Sequence, residues 1–314
     1  MNPITWGKKK VRGRLSKFVR TEVQKTMADM FPQLIEFQNS PNEKRQSYHD
    51  HTRDPLGNSA LYSSLKDRLL EAGIPVTEID IDVSDFERWM NDFPEVTKYY
   101  QETGDVFIEK CLEHHLAAKH LNISNGDVYI DIAASGSPWA DILNKRGIKS
   151  YSLDLAHKNG MHGIKIGADA GDTRLPEAFA TVLSSQCAYE CFMGEADIRF
   201  VREADRILKK GGRYGILPLY LDDTYFVAIS PYCNQENIVV ESEARRVWRD
   251  DEHNTAFSRH YSPESFRNRI FSAVPETMTG KVLYFRNLTE VMKRYPGQRI
   301  YCFFMFYCEK KSTI

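Results

Sequence analysis

The residues with the clearest chemical potential lie in the run Val128-Tyr129-Ile130-Asp131-Ile132-Ala133-Ala134-Ser135-Gly136-Ser137-Pro138. A strand-like stretch ends near an acid, Asp131, and opens on five small residues before Pro138. Small side chains let the backbone approach a ligand at the carboxyl end of a strand, where open α/β sheets bind their ligands. Proline suits the first turn of a following helix. A second acid, Asp154, closes the run Tyr151–Leu155. Its distance from Asp131 is near the offset of about 20 residues at which an acid meets ribose hydroxyls. A third acid, Asp169, follows in Ile166–Ala170. Further on, Ser185–Phe192 carries Gln186, Cys187, Tyr189, Glu190 and Cys191. This loop also leaves the carboxyl end of a strand, so Glu190 is the first candidate for a general base or an acceptor-orienting group. The bland alternative is a carboxylate that holds the loop.

Other candidates are more scattered. His114 sits on a helix and either contacts a ligand or packs. His260, Tyr261 and Ser262 precede a helix and either close over a substrate or supply an N-cap, with Ser262 as the capping residue. Arg245, Arg246, Arg249 and Arg259 suit a substrate phosphate or carboxylate, or form a solvated face. Tyr189, Tyr225 and Trp248 are aromatic candidates for a substrate wall, against the plainer reading of core packing. Asp222-Asp223 after a strand end could bind a divalent cation, and His49 and His51 sit with Asp50 and Asp54 on a polar loop. Neither forms a compact ligand set, and no metal is assigned.

The elements that must position these residues follow from pattern. Val128–Ile132, Ser150–Leu155, Thr181–Ser185 and Tyr214–Leu219 read as strands. Helices at 138–146 and 195–209 alternate with them, the βαβ signature of a mostly parallel, doubly wound sheet. Helix 195–209 opens on Glu195 and Asp197 and is expected to close on Lys209-Lys210-Gly211-Gly212. Helices are also expected at 60–72, 84–92 and 94–121. Val282–Phe285 and Arg299–Cys308, separated by a turn at Tyr295-Pro296-Gly297, are expected as late antiparallel strands at the sheet edge. The domain reading is a basic helical arm over 1–37, a linker over 38–60, a helical lead-in over 61–121 and an α/β domain over 122–314. The α/β domain carries an acceptor-side insertion at about 221–265.

The 314 residues contain 42 basic and 43 acidic ones, with 42% apolar and 27% charged. That composition excludes collagen, long coiled coil and wholesale disorder, and the neutral balance disfavours a dedicated nucleic-acid binder. The first 25 residues carry eight basic side chains against Glu22 alone. Apolar residues at helical spacing over 11–31 make this a basic amphipathic helix. Such a helix suits peripheral contact with an anionic membrane, an acidic polymer, its own protein or a second subunit in a homo-oligomer. The six cysteines form no CxxC pair and no secretory leader is evident, so free thiols and a cytoplasmic location are expected.

Together these features resemble the class I S-adenosylmethionine-dependent methyltransferases. The resemblance covers about 95–235 and, more narrowly, is to methyltransferase-like proteins of bacterial surface-polysaccharide loci. It is carried by Lys110-Cys111-Leu112-Glu113-His114, Asp127–Ala133, Ser137-Pro138, Ile166–Ala170, Glu195–Phe200 and Ile216–Tyr220. The resemblance implies a Rossmann-like methyltransferase sheet with S-adenosyl-L-methionine as cofactor. It implies that Ala133, Ser135, Gly136 and Ser137 approach the methionine part. Asp154, with Leu155 beside it, would meet the ribose, Asp169 and the Ala170 amide the adenine, and Asp131 the amino group or its water. Gln186 joins this cofactor set. Glu190 and His260 would be catalytic, and Tyr189, Tyr225, Arg259 and Tyr261 would face the acceptor, a sugar of a surface glycan or its precursor. The loop departs from the family pattern in keeping Gly136 alone among its small residues, and Cys191 stands where related sequences often carry histidine. A nicotinamide dehydrogenase, a catalytically weak cofactor-binding scaffold at a membrane glycan-assembly complex and an RNA methyltransferase are the competing readings.

Overall fold

The computed structural model of the protein describes residues 52, 54–134, 136–230, 238–249 and 256–312. The basic segment 11–31, most of the 38–60 linker, His49, His51, Ser135, Cys233 and His253 lie outside the described residues. The chain forms two compact units, one over 49–226 and 259–314 and the other containing 227–258.

The larger unit begins with helix α1 (Ser59–Glu71) and strand β1 (Val76–Ile79). Helix α2 (Val83–Asp92) starts where the Asp82 carboxylate accepts from the Asp85 amide, an N-cap. Pro94 opens α3 (Pro94–Tyr100). The long helix expected over 94–121 is interrupted here. Gly104 takes φ 70° and ψ −127°, so a 3₁₀ segment over Gln101–Val106 separates α3 from α4 (Phe107–His120).

The α/β alternation then runs β2 (Val128–Ile132), α5 (Trp139–Lys145), β3 (Lys149–His162), β4 (Lys165–Gly167), β5 (Ala180–Gln186), α6 (Ala196–Ile207) and β6 (Leu208–Leu217). Helix α6 ends two residues earlier than expected. Leu208 turns extended (φ −79°, ψ 138°) and pairs with Ala180, and the next pair is Val182 with Arg213. The Lys-Lys-Gly-Gly segment is thus a bulge in β6 rather than a helix cap. A Cβ at Gly212 would stand 2.7 Å from the Lys209 carbonyl oxygen.

The smaller sheet orders β7 (Phe226–Ile229), β8 (Arg245–Trp248) and β9 (Phe257–His260) as β8-β7-β9. Helix α7 (Pro263–Arg269) is capped by Ser262, whose side chain accepts from the Ser265 amide. Strand β10 (Met278–Phe285), helix α8 (Leu288–Arg294) and strand β11 (Phe304–Lys310) complete the chain. The last strand starts five residues later than expected, and α8 lies between β10 and it.

The main sheet has the order β1-β10-β11-β6-β5-β2-β3-β4. Strand β11 runs antiparallel to both β10 and β6, while β1 pairs parallel with β10. This is the expected doubly wound, mostly parallel Rossmann-like sheet with antiparallel pairing among its C-terminal strands. It carries one addition, since β1 from the lead-in becomes the outer strand. Helix α4 packs on β5 and β6, and α5 packs on β2 and β3, so the carboxyl ends of β2 to β6 open on one side. Strand β3 meets β4 twice: Ser152–Asp154 first, then Asn159–His162 folded back on it. A Cβ at Gly167 would stand 2.1 Å from the Lys158 carbonyl oxygen, so only glycine admits that return. Among the described residues, no helix is long and apolar enough to cross a membrane.

Candidate functional site at the carboxyl ends of the strands

The first piece of the site is the turn after β2. Asp131 is buried there, and desolvation pushes its carboxyl up to about 7 despite hydrogen bonds from Ser137 and Tyr129, with the charge of Asp154 adding to the rise. Its Oδ2 has no hydrogen-bond partner among the described residues. Ala133 follows with φ 57°, the left-handed region that glycine enters freely and alanine at a cost of about 1–2 kcal/mol. The Ala134 amide then donates to the Leu153 carbonyl at 3.2 Å, tying the turn to β3. From above, the Tyr99 hydroxyl donates to the Gly136 carbonyl. The next residue, Tyr100, is hydrogen-bonded to His114 Nε2 at 2.9 Å. His114 lies between the rings of Tyr100 and Trp139, and burial pushes it down to about 3. It is a neutral packing residue at neutral pH.

The second piece is a cavity of about 280 Å³ lined by Ala133, Leu153–Leu155, Ala168–Ala170, Cys191–Met193, Ala196 and Arg199. Asp154 accepts from the Ala156 amide at 2.8 Å. Asp169 accepts from the Gly171 amide at 2.8 Å and from Arg199 Nη2 at 3.0 Å. Leu155 is 78% exposed on this wall. Ala133, Asp154, Leu155, Asp169 and Ala170 thus share one cavity. Asp131, Gly136, Ser137 and Gln186 do not line it. Gln186 donates to Ser184 Oγ at 2.9 Å, and its Oε1 has no partner among the described residues.

The third piece is the short 3₁₀ turn Tyr189–Cys191 after β5. Glu190 is buried, and desolvation pushes its carboxyl up to about 7. Lys110 pulls the other way, Glu113 adds to the rise, and Cys187 donates toward it at 3.7 Å. Glu190 Oε2 has no partner among the described residues. Cys187, at φ 49°, also lies 3.4 Å from the Tyr220 hydroxyl. His260 is buried, stacked on Phe226 at 4.5 Å and edge-on to Tyr220 at 5.1 Å.

Three residues expected to face an acceptor are instead part of the scaffold beneath the cavity wall. Arg259 has no exposed side-chain surface, pairs with Asp197 at 2.7 Å and donates to the carbonyls of Phe192 and Gly194. Tyr261 donates to Asp197 Oδ2 at 2.6 Å, and Tyr189 donates to the Asp197 carbonyl at 3.0 Å. A buried guanidinium demands a carboxylate and carbonyl acceptors, and Asp197 on α6 supplies the charge. Tyr225 stacks parallel on Tyr261. In the smaller unit Arg246 lies over the buried Trp248 ring at 4.5 Å. Asp222 accepts from the Asp223 amide, and no group of three metal-ligating side chains occurs among the described residues.

The stretches singled out in the sequence contain Leu153, Ala168, Cys191, Phe192, Ala196 and Arg199, but neither these nor Met193 was assigned a ligand contact. The rule that ligands bind beyond the carboxyl ends of parallel strands would have reached 191–199, which joins β5 to α6.

No protein-family model matches the sequence, and no curated protein matches it. Among solved structures, the chain is similar to a 1,6-didemethyltoxoflavin-N1-methyltransferase of Burkholderia thailandensis crystallised with S-adenosylhomocysteine. Identity is 13% over 74% of this chain and 92% of that one, with a TM-score of 0.42. An S-adenosylmethionine-dependent methyltransferase of Mesorhizobium loti is 15% identical over 63% of this chain and 97% of that one, with a TM-score of 0.42. The [4+2]-cyclase SpnF is 14% identical over 66% and 83%, with a TM-score of 0.38. Strand order, rather than these distant likenesses, carries the fold.

Proposed function

We propose that the protein is an S-adenosylmethionine-dependent methyltransferase acting on a hydroxyl acceptor. The observation that carries the reading is the cavity of about 280 Å³ at the carboxyl ends of β2 to β4, walled by Asp154, Asp169 and four alanines. That volume is near the lower bound of about 300 Å³ for small-molecule sites and suits the nucleoside half of the cofactor. Two carboxylates suit hydroxyl and amine donors. The orphan oxygens of Asp131 and Gln186 leave acceptors for the amino-acid half. The residues therefore fit the cofactor. Asp154 holds the ribose, Asp169 and the Ala170 amide the base, and Asp131 the amino group.

Held by Asp154, Asp169, the Ala170 amide and Asp131, the cofactor would supply an electrophilic methyl group, and an acceptor hydroxyl that takes the methyl must give up its proton. Glu190 takes that proton on its carboxylate. Because burial raises it to about 7, Glu190 is divided between acid and base at neutral pH, and turnover rises as the pH passes upward through that value. The sequence resemblance to proteins of surface-polysaccharide loci supports a sugar hydroxyl as acceptor.

The test is calorimetric titration with S-adenosylmethionine and S-adenosylhomocysteine. Binding by the wild type that is lost in Asp154→Ala is the expected result; no binding to either ligand overturns the reading. Methylation of a purified glycan supports the sugar assignment, and activity confined to a small phenol or amine overturns it.

A further inference from the structure

Helix α3 lies against the turn after β2, and the functional reading above gives it no role. It is fixed from two sides. Arg146, just past α5, pairs with Glu95 at 3.1 Å and lies over the Phe93 ring at 4.0 Å. Phe93 in turn meets the Trp139 ring at 5.3 Å. At the far end of α3, Tyr100 is hydrogen-bonded to His114 on α4 at 2.9 Å. Beside that anchor the half-exposed Tyr99 donates its hydroxyl to the Gly136 carbonyl, across 37 residues of sequence.

That carbonyl belongs to the peptide plane shared with Ser137. A trans peptide points its C=O and N–H in opposite directions. Here both ends are held, the carbonyl by Tyr99 and the Ser137 amide by the Ala134 carbonyl at 3.0 Å. The Trp139 amide donates to Ser137 Oγ at 3.2 Å, which carries the hold into α5. Gly136 is where the turn most needs holding, because glycine enters both signs of φ about equally. Crowding does not restrain it: among the described residues, a Cβ there would meet the Tyr99 hydroxyl at 3.5 Å, an ordinary contact.

We propose that Tyr99 is a positioning residue for the amino-acid half of the cofactor: it pins the Gly136–Ser137 peptide plane and so presets the turn against which that half binds. The proposal rests on the functional reading above for what the turn binds, but the tether itself is a property of the chain. A plane that turns over exchanges an N–H donor for a C=O acceptor, so an amino or carboxylate group meets the wrong partner. Apparent affinity then falls with the fraction of molecules in the competent form. The nucleoside half is insulated from this, because neither Gly136 nor Ser137 lines the cavity at Asp154 and Asp169.

The experiment titrates the full chain and Tyr99→Phe calorimetrically with S-adenosylhomocysteine and with 5′-methylthioadenosine, which keeps the nucleoside and thioether but lacks the amino-acid half. Phenylalanine keeps the ring and removes the hydroxyl. Affinity for S-adenosylhomocysteine falls by about 2–10-fold, the size of one hydrogen bond, while affinity for 5′-methylthioadenosine holds. Equal weakening of both ligands, or of neither, overturns the proposal. Hydrogen exchange of the ligand-free protein, read by mass spectrometry, gives a second readout. The segment 134–139 exchanges faster in Tyr99→Phe than in the wild type, with β5 unchanged; equal exchange over 134–139 overturns the tether. A wild type that binds neither ligand refutes the functional reading and the cofactor role with it, while the exchange still decides whether Tyr99 holds the turn.

Discussion

Asp197→Asn is the perturbation with the largest expected cost. The Asp197 carboxylate has no exposed surface and receives Arg259 at 2.7 Å, Arg269 at 2.8 Å and the Tyr261 hydroxyl at 2.6 Å. Replacing it with asparagine keeps the shape but removes the carboxylate charge that faces the fully buried Arg259 guanidinium at 2.7 Å. Breaking a buried pair from one side costs about 3–5 kcal/mol. With an unfolding entropy of about 2.1 cal/mol/K per residue, the 314 residues give roughly 0.65 kcal/mol/K. The expected fall in Tm is therefore about 5–8 °C. Arg259→Met should cost less, because Asp197 keeps Arg269, Tyr261 and the Ile198 amide at 2.9 Å. The double variant buries neither of that pair's charges and should be less destabilised than the sum of the singles by about 0.5–3 kcal/mol. Urea denaturation of the four proteins closes the cycle. An Asp197→Asn loss below about 1 kcal/mol, or additivity of the two singles, would refute the view that this pair is a desolvated structural bond.

Further outcomes follow from single positions. Ala133→Gly relieves a left-handed backbone and should stabilise the fold by about 0.5–1 kcal/mol in urea, with cofactor affinity equal or higher; a weaker fold would show that the φ of 57° carries no strain. Glu109 is raised to about 8 by burial, with Glu113 adding, so its protonated form stabilises the fold at low pH and that contribution disappears as pH rises through about 8. Glu109→Gln should therefore flatten the decline of Tm between about pH 4.5 and 8, and a variant whose decline over that range matches the wild type would count against it.

Much of the fold was legible because β2, α5, β5 and α6 each satisfy local preference and burial together. Val128–Ile132 has strand residues, a glycine-bearing turn before it and a proline-led helix after it, and its predicted bounds coincide with those observed. The failures occur where a distant partner overrides the local signal. Lys209–Gly212 looks like a helix end, but pairing of Leu208 with Ala180 draws it into the sheet. Strand β1 is four residues long and becomes a strand because β10 accepts it. In the candidate site, the acids at strand ends were readable from spacing. Arg259, Tyr261 and Tyr189 were misjudged because polar type suggests a surface role, and nothing local reveals that Asp197 buries with them.

The attachment of β1 to β10 bears on how the chain matures during synthesis. The Ile81 amide donates to Asn287 Oδ1 across 206 residues of sequence. At roughly 5–20 residues per second, the α1–β1–α2 segment waits about 10–40 s on the ribosome before its partner exists. Phe86 and Leu69, fully buried in the finished molecule, spend that interval without the strand that completes the sheet. Non-local parallel pairing is slow to form, so this outermost seam is the place where holding chaperones would act. A product truncated before Met278 would keep the α/β centre yet expose the apolar underside of its own amino-terminal helices.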